Sequence, residues 1–237
     1  MSGKDVTVVF VHGAWADGSS WSKVIGLLAS SGIKSVAAPL PLTSLADDAA
    51  ALDRSLERVK GAIVLVGHSY AGAVIAATGS EKVQALVYVA ALAPAESETV
   101  ADVFYRAAPH PAAPALAPDS HGLIWLPDHG FATAFAQHAS ADEATWLAAV
   151  QRPISVACIG TKAPRPLWMD RPSWFLVAEE DRMINPDTQR FMAARMKAKV
   201  VSYPCDHTPS VTAPQAVADL VMEAVRSVAA SLANGRV

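Results

Sequence analysis

The stretch GAIVLVGHSYAG, residues 61–72, runs from an unbroken apolar segment into a cluster of small residues around one serine. Its first half has the length and Val/Ile content of a strand buried on both faces. Its second half opens a helical pattern over residues 70–79. A serine on such a strand-to-helix turn has the context of a nucleophile elbow, where the hydroxyl is lifted above the end of a sheet. The turn is tight, so its neighbours must be small, and Gly67 stands two residues before Ser69 while Ala71 stands two after it. Ala71 departs from the pattern G-x-S-x-G, although Gly72 follows at once. Taken alone, residues 67–72 also describe an ordinary Gly-Ser turn, so the reading depends on the rest of the chain.

The same kind of strand recurs in both directions. DVTVVFV at 5–11, KSVAAP at 34–39, VQALVYVAA at 83–91, SWFLVA at 173–178 and KVVSYP at 199–204 are short apolar runs rich in valine. Helical stretches lie between them at 19–31, 44–59, 186–196 and 213–233. Gly32 and Gly61 suit helix ends, and Pro186 suits a first helical turn, where its missing N–H has no partner to lose. This alternation predicts an α/β fold: a mostly parallel six-stranded sheet flanked by helices.

From 96 to 169 the alternation stops. The chain turns rich in Ala and Pro, with HPAAPALAP at 110–118 and APRPLW at 163–168. The segment is expected to be an inserted helical cap on a core made of residues 1–95 and 170–237. One helix is predicted over 139–150, with Trp146 and Leu147 on its inward face. Phe104, Tyr105, Trp125, Phe131, Phe135 and Trp168 supply further aromatic surface, to pack the cap down or to line a pocket.

A serine hydroxyl is a weak nucleophile until a base takes its proton, so Ser69 requires a histidine that is itself oriented by a carboxylate. In this kind of sheet the order is serine, then acid after a later strand, then histidine after the last strand. EEDRMINP follows SWFLVA and CDHTPS follows KVVSYP, which makes Asp181 and His207 the choices. Glu179, Glu180 and Asp206 are local competitors. Of the six other histidines, His68 adjoins the serine and His12 is expected to brace the loop after the first strand. His110, His121, His129 and His138 are spaced irregularly, without a metal-binding pattern. Two donors must face the oxyanion of a tetrahedral intermediate: the N–H of Tyr70, and one from HGAWADGSSW, for which Ala14 is the choice. Gly13 permits close backbone approach, and Trp15 serves either as a pocket wall or in helix packing. Gly13, Trp15, Trp125 and Trp146 form the expected substrate-binding set.

The whole chain bounds these readings. Its 237 residues suffice for one domain with a modest insertion, and 52% hydrophobic against 17% charged residues argues for a folded core. A formal net charge of -3 without a Lys/Arg cluster gives no footprint for nucleic acid or an anionic membrane. MSGKDVTVVFVHG reads as a buried strand rather than a signal peptide, and no apolar run reaches membrane-spanning length. Cys158 and Cys205 are expected as free thiols. A cytoplasmic protein acting on small molecules, with neither metal nor cofactor, is the expectation, and a homodimer is compatible with it.

With these residues in hand the chain resembles the α/β-hydrolase superfamily, from VFVHGAW to the last helix. HGAWADGSSW, the stretch around LPLTSLADD and GHSYAG look like the branch that holds bacterial small esterases, plant methyl esterases and plant hydroxynitrile lyases. The resemblance implies a triad of Ser69, Asp181 and His207 with oxyanion donors from Ala14 and Tyr70. The lyases of that branch carry a threonine where Gly13 stands and a lysine immediately after the histidine, where this chain has Thr208. Carboxylic-ester hydrolysis is therefore the favoured reading. Lyase or other non-hydrolytic chemistry at the same triad, and ligand binding with a vestigial triad, are its rivals.

Overall fold

The computed structural model describes residues 6–235, and Asp5, expected to open the first strand, lies outside them. The chain begins with β1 (Val6–Val11), α1 (Ser22–Ser30), β2 (Lys34–Ala38) and α2 (Leu45–Glu57). β3 (Ala62–His68), α3 (Ala71–Ala76) and β4 (Val83–Val89) follow. Next come the short elements α4 (Val100–Phe104), β5 (Leu123–Ile124), α5 (Asp128–Gly130), α6 (Ala141–Ala149), β6 (Ile154–Ser155) and α7 (Val156–Gly160). β7 (Ser173–Ala178), α8 (Pro186–Arg195), β8 (Lys199–Tyr203), α9 (Pro209–Thr212) and α10 (Pro214–Ala233) complete it.

The main sheet has the order β2-β1-β3-β4-β7-β8, and every pairing in it is parallel. The two-residue side-chain period of a strand explains why its centre is apolar throughout. Val9, Val11, Ile63, Leu65, Leu86 and Tyr88 point to one face, where they meet α2, α3, α8 and the segment between β4 and β7. Val8, Phe10, Val64, Val66, Val87 and Val89 point to the other, against α1 and α10. Each such side chain contributes about 1.5–3 kcal/mol by leaving water.

The two edge strands differ from the expectation of burial on both faces. All five residues of β8 are exposed, Val200 at 48% and Val201 at 38%, and Val36 of β2 is 44% exposed. An edge strand has one neighbour in place of two, and apolar residues alone do not reveal which strand ends the sheet.

Several boundaries also shift. α3 ends at Ala76 because the chain turns toward α2, where the Thr78 hydroxyl donates to Asp53. The last helix is interrupted at Ala213, whose φ of -138° lies outside the helical range, giving α9 and α10. α6 begins at Ala141 because Ser140 caps it, the Ser140 and Glu143 side chains each taking the other's backbone N–H.

The inserted segment is built of short pieces rather than one dominant helix. β5 and β6 pair antiparallel, and Phe131–Phe135 forms a π-helical turn. Its buried residues Phe131, Phe135, Leu147 and Ile154 belong to the same apolar cluster as one face of the sheet. Cys158 and Cys205 are both buried and free. Among the described residues no helix is long and apolar enough to cross a membrane.

Candidate active site

Ser69 sits between β3 and α3 with φ of +54°, a left-handed conformation that costs a non-glycine residue about 1–3 kcal/mol. Surrounding backbone bonds hold it there: its carbonyl accepts from Leu92 N at 2.9 Å and Gly72 N at 3.1 Å. A Cβ at Gly72 would run into the Leu92 carbonyl and stand 2.9 Å from Ala91 Cβ. The close approach that the G-x-S-x-G pattern assigns two residues after the serine thus falls one residue later, and Ala71 is accommodated.

The carboxylate arrives from the end of β7 and the histidine from the end of β8, beyond β4 in the sheet. His207 Nε2 lies 3.0 Å from Ser69 Oγ, and His207 Nδ1 lies 2.8 Å from Asp181 Oδ2. All three residues are buried, His207 completely. Asp181 Oδ1 accepts the backbone N–H groups of Met183 at 2.7 Å and Ile184 at 2.9 Å. A carboxylate oxygen facing Nδ1 places the imidazole proton there, which leaves the Nε2 lone pair toward the serine.

Sequence reasoning missed Gln189. Its Nε2 donates to Asp181 Oδ2 at 2.7 Å and to the Ile184 carbonyl at 2.9 Å, while its Oε1 accepts Ala178 N–H at 3.0 Å. A signal existed, because Gln189 shares its helical face with the buried Met192 and Ala193. The three competing carboxylates are engaged elsewhere. Glu179 pairs with Arg190, and Glu180 with His138 at 2.9 Å. Asp206 is buried and accepts His138 N–H at 2.8 Å, Thr208 N–H at 3.0 Å and the Thr212 hydroxyl at 2.6 Å. The Thr208 hydroxyl in turn donates to the Phe135 carbonyl, so residues on both sides of His207 hold the π-helical turn. The Phe135 ring packs against the His207 imidazole, centroids 5.1 Å apart.

Two further histidines are buried. His12 Nε2 accepts Leu40 N–H at 3.1 Å and its Nδ1–H donates to the Gly13 carbonyl at 2.9 Å, which braces the loop after β1. His68 Nε2–H donates to the His207 carbonyl at 2.6 Å. Burial, followed by the nearby His207, pushes His68 down from 6.5 to about 3, and burial also lowers His12. Both are neutral in the folded protein, whereas an unfolded histidine takes up a proton near pH 6.5. Below that pH the unfolded state binds more protons, so the stability carried by neutral His68 is full above pH 6.5 and drains away toward pH 3, and neutral His12 adds to it in the same direction. The urea midpoint is expected to fall steadily between pH 6.5 and 4, less so in His68→Gln. A decline that His68→Gln leaves unaltered would remove His68 as its cause.

A cavity of about 480 Å³, its mouth included, opens beside Ser69. Ala14, Trp15, Tyr70 and Leu92 contribute walls from the core, and Phe104, Ile124, Ile154 and Ile159 from the cap. Trp15 is thus a wall, with its indole N–H donating to the Ile124 carbonyl at 2.9 Å. Gly13 acts by closeness: a Cβ there would lie 2.8 Å from Ser69 Cβ and 2.9 Å from the His68 carbonyl. Among the described residues, the backbone N–H groups of Ala14 and Tyr70 donate to no protein acceptor.

Trp125 and Trp146, expected in the binding set, do not line this cavity. Ile124 at the end of β5 faces the cavity, and Trp125, the next residue, is 47% exposed with its N–H toward Asp119 at 3.3 Å. Trp146 packs on the apolar cluster from the side of α6. Among the described residues no group of three or more His, Cys, Asp or Glu side chains is arranged to hold a metal ion.

A parallel sheet carrying serine, carboxylate and histidine after β3, β7 and β8, under a cap, defines a class of fold. The chain belongs to the alpha/beta hydrolase family, whose model matches residues 8–220. No curated protein matches the sequence. Among solved structures it is similar to polyneuridine aldehyde esterase in an H244A mutant form, with a TM-score of 0.78 and 19% identity over 92% of this chain and 98% of that one. A pyrethroid hydrolase from Sphingobium faniae JZ-2 gives 0.78 and 21% over 94% and 99%. A methylesterase from Arabidopsis gives 0.75 and 17% over 93% and 99%. At these identities the likeness is one of fold.

Proposed function

We propose that this chain is a serine hydrolase that cleaves a small carboxylic ester through an acyl-enzyme on Ser69. The observation that carries the reading is the buried relay of 2.8 Å from Asp181 to His207 and 3.0 Å from His207 to Ser69. His207 takes the hydroxyl proton as Ser69 Oγ bonds to the ester carbonyl carbon, and returns it to the departing alcohol. Asp181 steadies the imidazolium that forms between these steps. The free N–H groups of Ala14 and Tyr70 receive the oxyanion, that of Tyr70 at the start of α3. Water then repeats the sequence on the acyl-enzyme, with His207 as its base.

Two features favour hydrolysis over lyase chemistry at the same residues. Thr208 carries no charge and spends its hydroxyl on Phe135, and among the described residues no charged side chain lines the cavity to hold a departing anion. The similar structures are an esterase, a pyrethroid hydrolase and a methylesterase, in agreement with an ester substrate. A fluorophosphonate probe is expected to add its mass to Ser69, and short acyl esters of 4-nitrophenol to be turned over with release of the free acid. Absence of both, or cyanide release from a cyanohydrin in place of ester cleavage, overturns the proposal.

A further inference from the structure

Asp48 is a completely buried carboxylate outside the triad. It accepts Leu42 N–H at 2.7 Å, the Tyr70 hydroxyl at 2.7 Å and the Cys158 thiol at 3.6 Å. A buried charge must be compensated, and here three donors converge on it without a cation. The three come from different places: Leu42 from the loop before α2, Tyr70 from the elbow, and Cys158 from α7 in the cap. Leu42 also accepts Ser155 N–H of β6 at 3.0 Å. Asp48 thus fixes the side of the cavity made by Tyr70, Ile154 and Ile159, although it does not line the cavity itself.

Tyr70 would otherwise bring a phenol to the cavity wall, directly after Ser69. Its ring lines the cavity, and its hydroxyl is turned to Asp48. Trp15 is treated alike, its only side-chain polar atom being bound to the Ile124 carbonyl. Apart from Ser69, and from Tyr105 standing 55% exposed, the remaining lining side chains are hydrocarbon. A substrate carboxylate or ammonium entering here would lose its hydration and find no partner.

We propose that Asp48 sets the selectivity of this cavity: by taking the Tyr70 hydroxyl it keeps the wall beside Ser69 apolar, and restricts the cavity to an uncharged, hydrocarbon-rich part of the substrate. The inference rests on the reading of Ser69 as the reacting residue and names the substrate class for it. Asp48 is a positioning residue, acting through Tyr70 and the cap.

The test compares two esters of nearly equal shape, 4-nitrophenyl (E)-4-methylpent-2-enoate and mono-4-nitrophenyl fumarate, which differ in a terminal isopropyl group against a carboxylate that the trans double bond keeps from attacking its own ester. The wild-type protein is expected to favour the neutral ester by at least about 100-fold in kcat/KM. Asp48→Ala, checked for folding by circular dichroism, is expected to reduce that ratio at least about tenfold, and Asp48→Asn, which keeps an acceptor for Tyr70, to restore most of it. Should Asp48→Ala not fold, Asp48→Ser carries the same expectation, because its hydroxyl is too short to span the gap. In the Ser69→Ala variant, dissociation constants of both esters read by titration calorimetry are expected to keep at least a tenfold preference for the neutral one. This binding measurement needs no turnover, so it separates a failure of the selectivity from a failure of the chemistry. Equal handling of the two esters in both turnover and binding, or a folded Asp48→Ala with the wild-type ratio, overturns the inference.

Discussion

Ser69→Ala is expected to lower kcat/KM for a short acyl ester by about 10⁴- to 10⁶-fold while leaving the fold intact. The hydroxyl is the atom that would bond to the acyl carbon, and it stands 3.0 Å from His207 Nε2, the base positioned to take its proton. Without it, His207 can at best activate a water that no part of the site has been built to hold. Stability changes little, because Ser69 Oγ has His207 Nε2 as its one side-chain partner, and the backbone bonds to Leu92 and Gly72 are unaffected. The left-handed backbone at φ of +54° is no worse for alanine than for serine. Steady-state kinetics, fluorophosphonate labelling and a melting curve on the same preparation decide the matter. Residual activity within tenfold of the wild type, or labelling that persists at another residue, would show that the reacting group lies elsewhere.

That Ser69, Asp181 and His207 meet is legible in the sequence for a physical reason. Each follows directly on an apolar run, and strands that pair in parallel deliver their C-terminal ends to one edge of the sheet. Local pattern and long-range geometry therefore coincide at these positions. They do not coincide at Gln189 or Asp48. Both lie on the apolar side of their helices, Asp48 between Leu45 and Leu52 and Gln189 before Met192 and Ala193, a pattern that signals burial but not the partner, which the packed structure supplies from another element. The same holds for Trp125: β5 is two residues long, too short for alternation to say which of Ile124 and Trp125 faces the cavity. The exposure of β8 depends on strand order, a property of all six strands together. The cap is least legible because its pieces are short and the bonds that place it come from loops distant in sequence, those around Asp181 and His207 among them. Arg182 donates to the Thr133 carbonyl at 2.8 Å, and Gln137 to that of Glu180 at 2.7 Å.

The loop around Asp181 also makes Asp181→Asn the sharpest test of how the imidazole is held. Every group facing the carboxylate is a donor: Met183 N–H and Ile184 N–H on Oδ1, Gln189 Nε2 and His207 Nδ1 on Oδ2. An asparagine has one oxygen and one NH₂ in place of two acceptors, so the NH₂ must oppose a donor whichever way it turns. With its oxygen toward the two backbone N–H groups, the NH₂ faces His207, which relieves the clash by moving its own proton from Nδ1 to Nε2. The ring then points an N–H at Ser69 and cannot take its proton. Gln189 cannot absorb the change by flipping its amide, since that would break its bonds to Ala178 N–H and the Ile184 carbonyl. With its oxygen toward His207 instead, the NH₂ confronts Met183 and Ile184, and the loss appears as stability, about 1–3 kcal/mol for each buried donor left unpaired. The first arrangement keeps more bonds and leaves only the Gln189 N–H opposed, so kcat is expected to fall about 10⁴-fold with KM close to wild type and a smaller loss of stability than the second arrangement would give. An Asn variant within tenfold of wild-type kcat at an unchanged melting temperature would mean that Asp181 does not set the histidine tautomer, since neither orientation of the amide permits both.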